Sequence, residues 1–198
     1  MKNLIIGIIF VTLSANITFF FILRRNPVDS ENASREKKIE AMMLKQFEVE
    51  HRSLILSSNL IDSIQKYQNN SILFIFYFNN HSCGSCVDNA IADLISYKET
   101  IGKQHILIIV SEDNEKSAKL MMNNVKDYFN TIWIKNNELK FEGIEENLPI
   151  HFFLLDQTMM PFCLYFYMPE FSALNRKYFN IVAKKILQND TRSKELFN

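Results

Sequence analysis

The stretch ILFIFYFNNHSCGSCVDNAIADLISY, residues 72–97, decides the fold of this chain. It begins with an unbroken apolar run, Ile72–Phe78, whose length and bulky side chains predict a strand buried on both faces. The motif Cys83-Gly84-Ser85-Cys86 follows, and a helix-compatible segment, Val87–Tyr97, comes directly after it. The two thiols therefore lie at the start of a predicted helix. Backbone amides and the helix dipole favour a thiolate there, and a thiolate is the species that attacks disulfides.

The residues after this stretch alternate between predicted strands and helices. The sequence predicts a second buried strand at Gln104–Val110, a polar helix from Asp113 to about Asp127, and a short strand at Thr131–Ile134. Residues 136–147 are expected to be irregular or weakly helical. Consecutive β-α-β units require parallel strands in one sheet.

The last part of the chain predicts an antiparallel hairpin and a closing helix. Pro149–Leu155 and Phe162–Tyr167 are apolar runs separated by turn residues, which is typical of a hairpin. A helix that begins near Ser172 follows them. The expected fold class is therefore α/β, with a mixed sheet flanked by helices.

An apolar segment without a charged residue, Leu4–Leu23, precedes this domain. A helix of that length rises to about 30 Å, enough to cross a bilayer core. We predict an uncleaved membrane anchor, with a cleaved signal sequence as the alternative. Arg24 and Arg25 favour a cytoplasmic domain by the positive-inside rule. The short basic tail before the segment is instead typical of an export signal, and on that ground we expect the domain on the periplasmic side of an inner membrane.

The chain thus divides into four predicted segments. They are an anchor at 1–25, a helical connector at 26–70, a thiol-bearing α/β domain at 71–190 and a tail at 191–198. Apolar residues recur along the connector at helical spacing, which predicts a stalk that packs on the domain. A dimerising coiled coil is the alternative, although Glu50 and Ser57 interrupt the stripe.

Composition excludes several classes of function. The formal net charge is zero, so nothing indicates binding to nucleic acid. The chain has only four glycines and no glycine-rich loop that could hold a phosphate. No local signature of a Ser/His/acid hydrolase is present.

The chain resembles the thioredoxin superfamily in three features. Phe78 lies five residues before Cys83, the CxxC motif begins a helix, and Leu148-Pro149 heads a later strand. The resemblance implies a thioredoxin-like fold, a thiol–disulfide oxidoreductase activity, and a cis proline that packs against the dithiol. An extra helix and strand between Cys86 and Pro149 resemble the membrane-tethered TlpA/ResA-like branch.

The resemblance also implies a role for each site residue. Cys83 would attack a partner disulfide and Cys86 would resolve the mixed disulfide. Pro149 and Leu148 would touch the backbone of the substrate. His81 could stabilise a thiolate if its ring turns inward, and the alternative is a solvated loop residue. The implied partners are protein thiols or disulfides and a redox partner, with no cofactor and no metal.

Three departures from the thioredoxin pattern surround the motif. Ser82 replaces the usual tryptophan, Ser85 replaces the proline of the Gly-Pro pair, and Tyr77 replaces a buried acid. The strongly reducing character of thioredoxin therefore does not carry over. Reductase, oxidase and isomerase all share the motif, so the direction of electron flow stays open.

Three other interpretations of the dithiol remain. It could be half of a zinc site, although no second CxxC is present. A mononuclear site from Cys83, Cys86 and His151, as in copper-delivery relatives of the fold, would need a different cysteine spacing. The third alternative is a tethered, non-catalytic thioredoxin-like binding module. The third cysteine, Cys163, is expected to be a buried core thiol, and the position of His151 in its strand suggests a solvent-facing side chain.

Overall fold

The computed structural model describes residues 27–50, 52–68, 71–123, 125–135, 138–144 and 148–196. The chain divides into two compact units, Met1–Leu44 and Lys45–Asn198, and all the strands belong to the second. The predicted anchor at 1–25 lies outside the described residues. Within the described part of the chain, no helix is long and apolar enough to span a membrane.

Five helices and seven strands make up the described structure. The helices are α1 (Pro27–Glu50), α2 (Ser58–Gln68), α3 (Gly84–Ile101), α4 (Glu115–Asn123) and α5 (Ser172–Leu196), with a short 3-10 turn at Lys103–His105. The strands are β1 (Leu54–Leu56), β2 (Leu73–Asn79), β3 (Ile106–Ser111), β4 (Asn130–Ile134), β5 (Leu139–Phe141), β6 (His151–Leu155) and β7 (Pro161–Phe166).

The main sheet has five strands in the order β4-β3-β2-β6-β7. β2 pairs in parallel with β3, and β3 pairs in parallel with β4. On its other edge β2 pairs with β6 in antiparallel fashion, and β7 returns beside β6 as the predicted hairpin. The expected mixed α/β sheet flanked by helices is confirmed.

Strand β2 lies at the centre of the sheet and is buried along its whole length. Phe74, Phe76 and Phe78 point to one face, where α3 and α5 cover them. The rings of Phe76 and Phe152 stack at 4.7 Å between centroids. The opposite face holds Tyr77 and residues of β6, which pack against Phe141 of β5. An all-apolar strand is what a sheet covered on both faces requires.

The segment 26–70, predicted as a helical connector, is not helical throughout. Residues 54–56 form strand β1, which pairs antiparallel with β5 in a separate two-stranded sheet. β5 itself lies in the segment 136–147 that we expected to be irregular. Both strands have only three residues, and each becomes regular because the other supplies its hydrogen bonds.

The C-terminal boundary differs as well. Helix α5 continues past residue 190 and ends at Leu196, so the segment predicted as a tail is helical over most of its length.

The aromatic stack predicts a large loss of stability on truncation. Phe152 is fully buried and stacks on both Phe76 and Phe74. Phe152→Ala should lower the free energy of unfolding by about 3–5 kcal/mol, because it removes the ring and leaves a cavity. Leu187→Ala, at a position that is 54% exposed, should change it by less than about 0.5 kcal/mol. Urea unfolding followed by the fluorescence of Trp133 measures both values, and equal losses would contradict this packing.

Candidate functional site

A short hydrogen-bonded loop carries the chain from β2 to the dithiol. The Asn79 side chain accepts hydrogen bonds from the His81 amide at 3.1 Å and from the Ser82 hydroxyl at 3.2 Å. The Ser82 hydroxyl in turn accepts from the Asn79 amide at 3.1 Å. Ser82, where tryptophan is usual in the resemblance, thus closes the turn that leads to Cys83.

The two cysteines occupy different positions at the start of α3. Cys83 is the N-cap residue, with extended backbone angles, and its side chain is exposed. Its carbonyl accepts hydrogen bonds from the amides of Cys86 and Val87, both at 3.0 Å. Cys86 lies one turn into the helix and is half-buried. The expected asymmetry between an outer and an inner thiol is therefore present, and both are free thiols in this structure.

The local hydrogen bonds separate the pKa values of the two thiols. The hydrogen bond from Cys86, together with one from Ser85, lowers the pKa of Cys83 to about 7. The Cys83 and Ser85 side chains approach to 3.2 Å. The hydrogen bond with Cys83 and the desolvation of its partly buried side chain raise the pKa of Cys86. At neutral pH the outer sulfur is therefore more readily charged than an ordinary thiol, and the inner sulfur keeps its proton.

A cleft of about 230 Å³ lies beside the dithiol. It brings together every site residue expected from the sequence. The lining residues are Asn79, His81, Ser82, Cys83, Cys86, Leu148, Pro149, Ile150 and Tyr167. Leu148 and Pro149 are far from the motif along the chain, so the folding of β6 against β2 is what places them here.

The peptide bond before Pro149 differs from the expectation. The described residues contain no cis peptide bond, so the Leu148–Pro149 bond is trans. Trans is the intrinsically favoured form of an X-Pro bond, and here Pro149 lies in the loop before β6 rather than in the strand. Pro149 still lines the cleft.

His151 is not solvent-facing, as its position in the strand suggested, but 1% exposed. Its ring centroid lies 4.8 Å from that of Tyr77 and about 6 Å from those of three phenylalanines, Phe141, Phe153 and Phe166. Both faces of β6 are covered, so even its first residue points into the core. Burial lowers the pKa of His151 to about 4, so the ring is neutral at physiological pH.

In the described structure the His151 side chain makes one hydrogen bond, from Nδ1 to the Pro149 carbonyl at 2.7 Å. A carbonyl only accepts, so Nδ1 carries the proton and Nε2 is left as an acceptor. Nε2 is fully buried and has no hydrogen-bond partner in the described structure. An unsatisfied buried acceptor costs on the order of 1–3 kcal/mol.

Tyr77 occupies the position at which the thioredoxin pattern has a buried acid. Burial, the largest influence on its hydroxyl, raises its pKa. A phenol that is neutral at physiological pH cannot act there as the base that a carboxylate would provide.

Tyr167 forms a wall of the cleft that sequence reasoning missed. Its amide donates to the Ile150 carbonyl at 2.9 Å, and its hydroxyl donates to Asp93 of α3 at 2.8 Å. Burial and the hydrogen bond to Asp93 raise its pKa, so it is a neutral donor. Tyr167 ends an apolar run and has no local signal of a site, because only the pairing of β6 with β7 brings it to the cleft. Ile150 was missed because only the pairing of β6 with β2 brings it to the cleft. Asn79 lies in the loop next to the motif and was missed because its residue type gives no signal of a site.

The remaining predicted residues are placed as follows. His81 is exposed and lines the cleft beside Cys83, with its amide bound to Asn79. Cys163 is half-buried rather than fully buried, because it lies at a bulge in β7 with a φ of 55°.

Among the described residues, no three His, Cys, Asp or Glu side chains form a group that could hold a metal ion. His151, which the copper alternative requires, is bound to Pro149 inside the core.

Comparisons with known proteins add one similar structure. No protein-family model matches the chain, and no curated protein matches it. Its course is similar to the solution structure of a thiol:disulfide interchange protein from Bacteroides sp., with 11% sequence identity and a TM-score of 0.38. The similarity covers 62% of this chain and 77% of that one. The sequence identity and the TM-score are both low, so this similarity carries no argument about the site.

The hydrogen bonds around Cys83 predict a titration near neutral pH. The rate of Cys83 alkylation should rise with pH and reach half its maximum near pH 7, because the thiolate is the reacting form. Ser85→Ala should move that midpoint to higher pH, since it removes a hydrogen bond to the thiolate. Ser63→Ala, a matched serine in helix α2, should leave it unchanged. Alkylation at a series of pH values, with the modified cysteine identified by mass spectrometry, measures the midpoints. An unshifted Ser85→Ala curve would contradict the assignment.

Proposed function

We propose that this protein is a thiol–disulfide oxidoreductase that exchanges disulfides with protein substrates through Cys83 and Cys86. One observation carries the proposal: an exposed thiol with its pKa lowered to about 7 lies beside an inner thiol with a raised pKa, at the mouth of a cleft. A low-pKa outer thiol and a protonated inner thiol are what a two-step exchange requires.

The exchange begins when the Cys83 thiolate attacks one sulfur of the partner disulfide. The partner S–S bond breaks, a Cys83–partner bond forms, and the released partner sulfur takes up a proton. Cys86 then loses its proton and attacks the Cys83 sulfur, which releases the second partner thiol. The partner gains two electrons, and Cys83–Cys86 becomes a disulfide. The same steps in reverse oxidise a partner dithiol.

The cleft walls support a peptide substrate. Leu148, Pro149, Ile150 and Tyr167 form a largely apolar surface next to the exposed sulfur. A chain that carries the target disulfide can lie against this surface while its sulfur reaches Cys83.

We further propose that the enzyme is anchored in the inner membrane and that its domain lies in the periplasm. The apolar segment 4–23 supports an anchor in the inner membrane, and the short basic tail before it supports a periplasmic domain. The extra helix and strand after the dithiol, α4 and β4, support a TlpA/ResA-like branch.

Replacement of the inner cysteine should trap substrates. In Cys86→Ser the mixed disulfide cannot be resolved, so partner proteins should accumulate on Cys83 as covalent complexes. The matched variant Cys83→Ser, which keeps Cys86 and Cys163, should trap none. Non-reducing gels followed by mass spectrometry of the linked peptides distinguish the two variants. A non-catalytic binding module would give no complexes in either variant and would bind partners equally well without both thiols.

Labelling in intact cells tests the membrane orientation. In a Gram-negative host with a permeabilised outer membrane, a membrane-impermeant maleimide should modify Cys83 of the full chain before lysis, because Cys83 is exposed. Cys83→Ser should lose most of the signal. Modification that appears only after lysis would instead indicate a cytoplasmic domain.

A further inference from the structure

We propose that His151 is a positioning residue for the cleft, which it serves by holding the Pro149 carbonyl from the protein interior. This inference rests on the proposed function, since it concerns the surface against which a substrate disulfide is held. The contact that carries it is the 2.7 Å hydrogen bond from His151 Nδ1 to the Pro149 carbonyl.

Packing alone does not explain an imidazole at this position. The surrounding rings are Tyr77, Phe141, Phe153 and Phe166. A phenylalanine would fill the same aromatic space and would bury no unsatisfied nitrogen, whereas His151 leaves Nε2 without a partner in the described structure. The feature that only the imidazole supplies here is the N–H that it donates to Pro149.

The sheet does not hold Pro149 in place. The ladder pairs of β6 end at His151, which is opposite Tyr77 on one side and Phe166 on the other. The Ile150 carbonyl is bound by the Tyr167 amide. Pro149 lies one residue further out and has no N–H to donate. Its carbonyl is therefore its only backbone group for a hydrogen bond, and His151 occupies it.

This bond fixes one wall of the cleft relative to the dithiol. Leu148 and Pro149 line the cleft together with Cys83 and Cys86. The donor is rigid, because its ring is enclosed by the core and belongs to the first residue of a buried strand. A polypeptide substrate that lies against this wall places its sulfur beside Cys83. A small disulfide can reach the exposed sulfur without lying along the wall.

The experiment compares a protein disulfide with a small one. The reduced full chain is mixed with insulin or with 2-hydroxyethyl disulfide, and Cys83–Cys86 disulfide formation is followed together with release of substrate thiols. In His151→Phe, the ratio of the insulin rate to the small-disulfide rate should fall on the order of fivefold, the worth of one neutral hydrogen bond. The melting temperature should not fall. Phe153→Leu, a matched change in the same aromatic cluster, should leave the ratio unchanged even where it lowers the melting temperature.

A second variant and a measurement on the unaltered protein complete the test. His151→Asn places an amide N–H near the position of Nδ1 and should recover part of the lost ratio. In the unaltered protein, side-chain nitrogen NMR should show His151 with its proton on Nδ1 throughout the range from pH 6 to 8.

Two outcomes would overturn the positioning role. One is an unchanged ratio in His151→Phe, whether both rates stay the same or fall equally, and the other is a proton on Nε2 in the unaltered protein. Failure of the proposed function gives a different result, because the unaltered protein would then exchange with neither disulfide.

Discussion

Strand β2 is hydrogen bonded on both edges and buried on both faces, so the point where the chain leaves the sheet is held from every side. The Asn79–Ser82 loop starts at that point and delivers Cys83 to the first turn of α3. Strand β6 runs antiparallel to β2, so its beginning lies beside the end of β2. Pro149 therefore meets the dithiol even though most of α3, a 3-10 turn, β3, α4, β4 and β5 lie between them in the sequence.

Contacts at the start of α3 then give the two thiols different pKa values. Cys83 is exposed at the N-cap, where amides and the Cys86 and Ser85 side chains stabilise a negative charge. Cys86 is partly desolvated and keeps its proton next to that charge. Neutral Tyr77 and Tyr167 add no negative charge of their own at physiological pH. The asymmetry of the pair thus arises from a few contacts within one helical turn.

The fold was predictable wherever its signals are local. The apolar run of β2, the motif and the helix after it are contiguous, and the hairpin of β6 and β7 is separated only by turn residues. Strands β1 and β5 were missed because each has three residues and is regular only through a partner some 85 positions away. The burial of His151 was missed because its place between Ile150 and Phe152 suggested alternation between core and solvent, and nothing local indicates that Phe141 covers that face.

The site was predictable to a similar degree. Cys83, Cys86, Leu148, Pro149 and His81 all line the cleft, as a motif and a resemblance together implied. Tyr167 carries no signature of a site in the sequence, since its position depends on tertiary pairing. Asn79 carries none either, although its own loop places it beside the motif. The cis Leu148–Pro149 bond was implied by the resemblance alone, since no residue of this chain indicates it, and the bond is trans.

A redox titration of the full chain tests the central claim most directly. The protein is equilibrated with mixtures of a dithiol and its disulfide, alkylated, and analysed by mass spectrometry of the peptide that contains Cys83 and Cys86. The account predicts one reversible two-electron transition, with a tenfold change in the oxidised-to-reduced ratio for about 30 mV, and a disulfide that joins Cys83 to Cys86 while Cys163 stays a thiol. Two thiols that remain reduced at every potential, or a disulfide that includes Cys163, would contradict it.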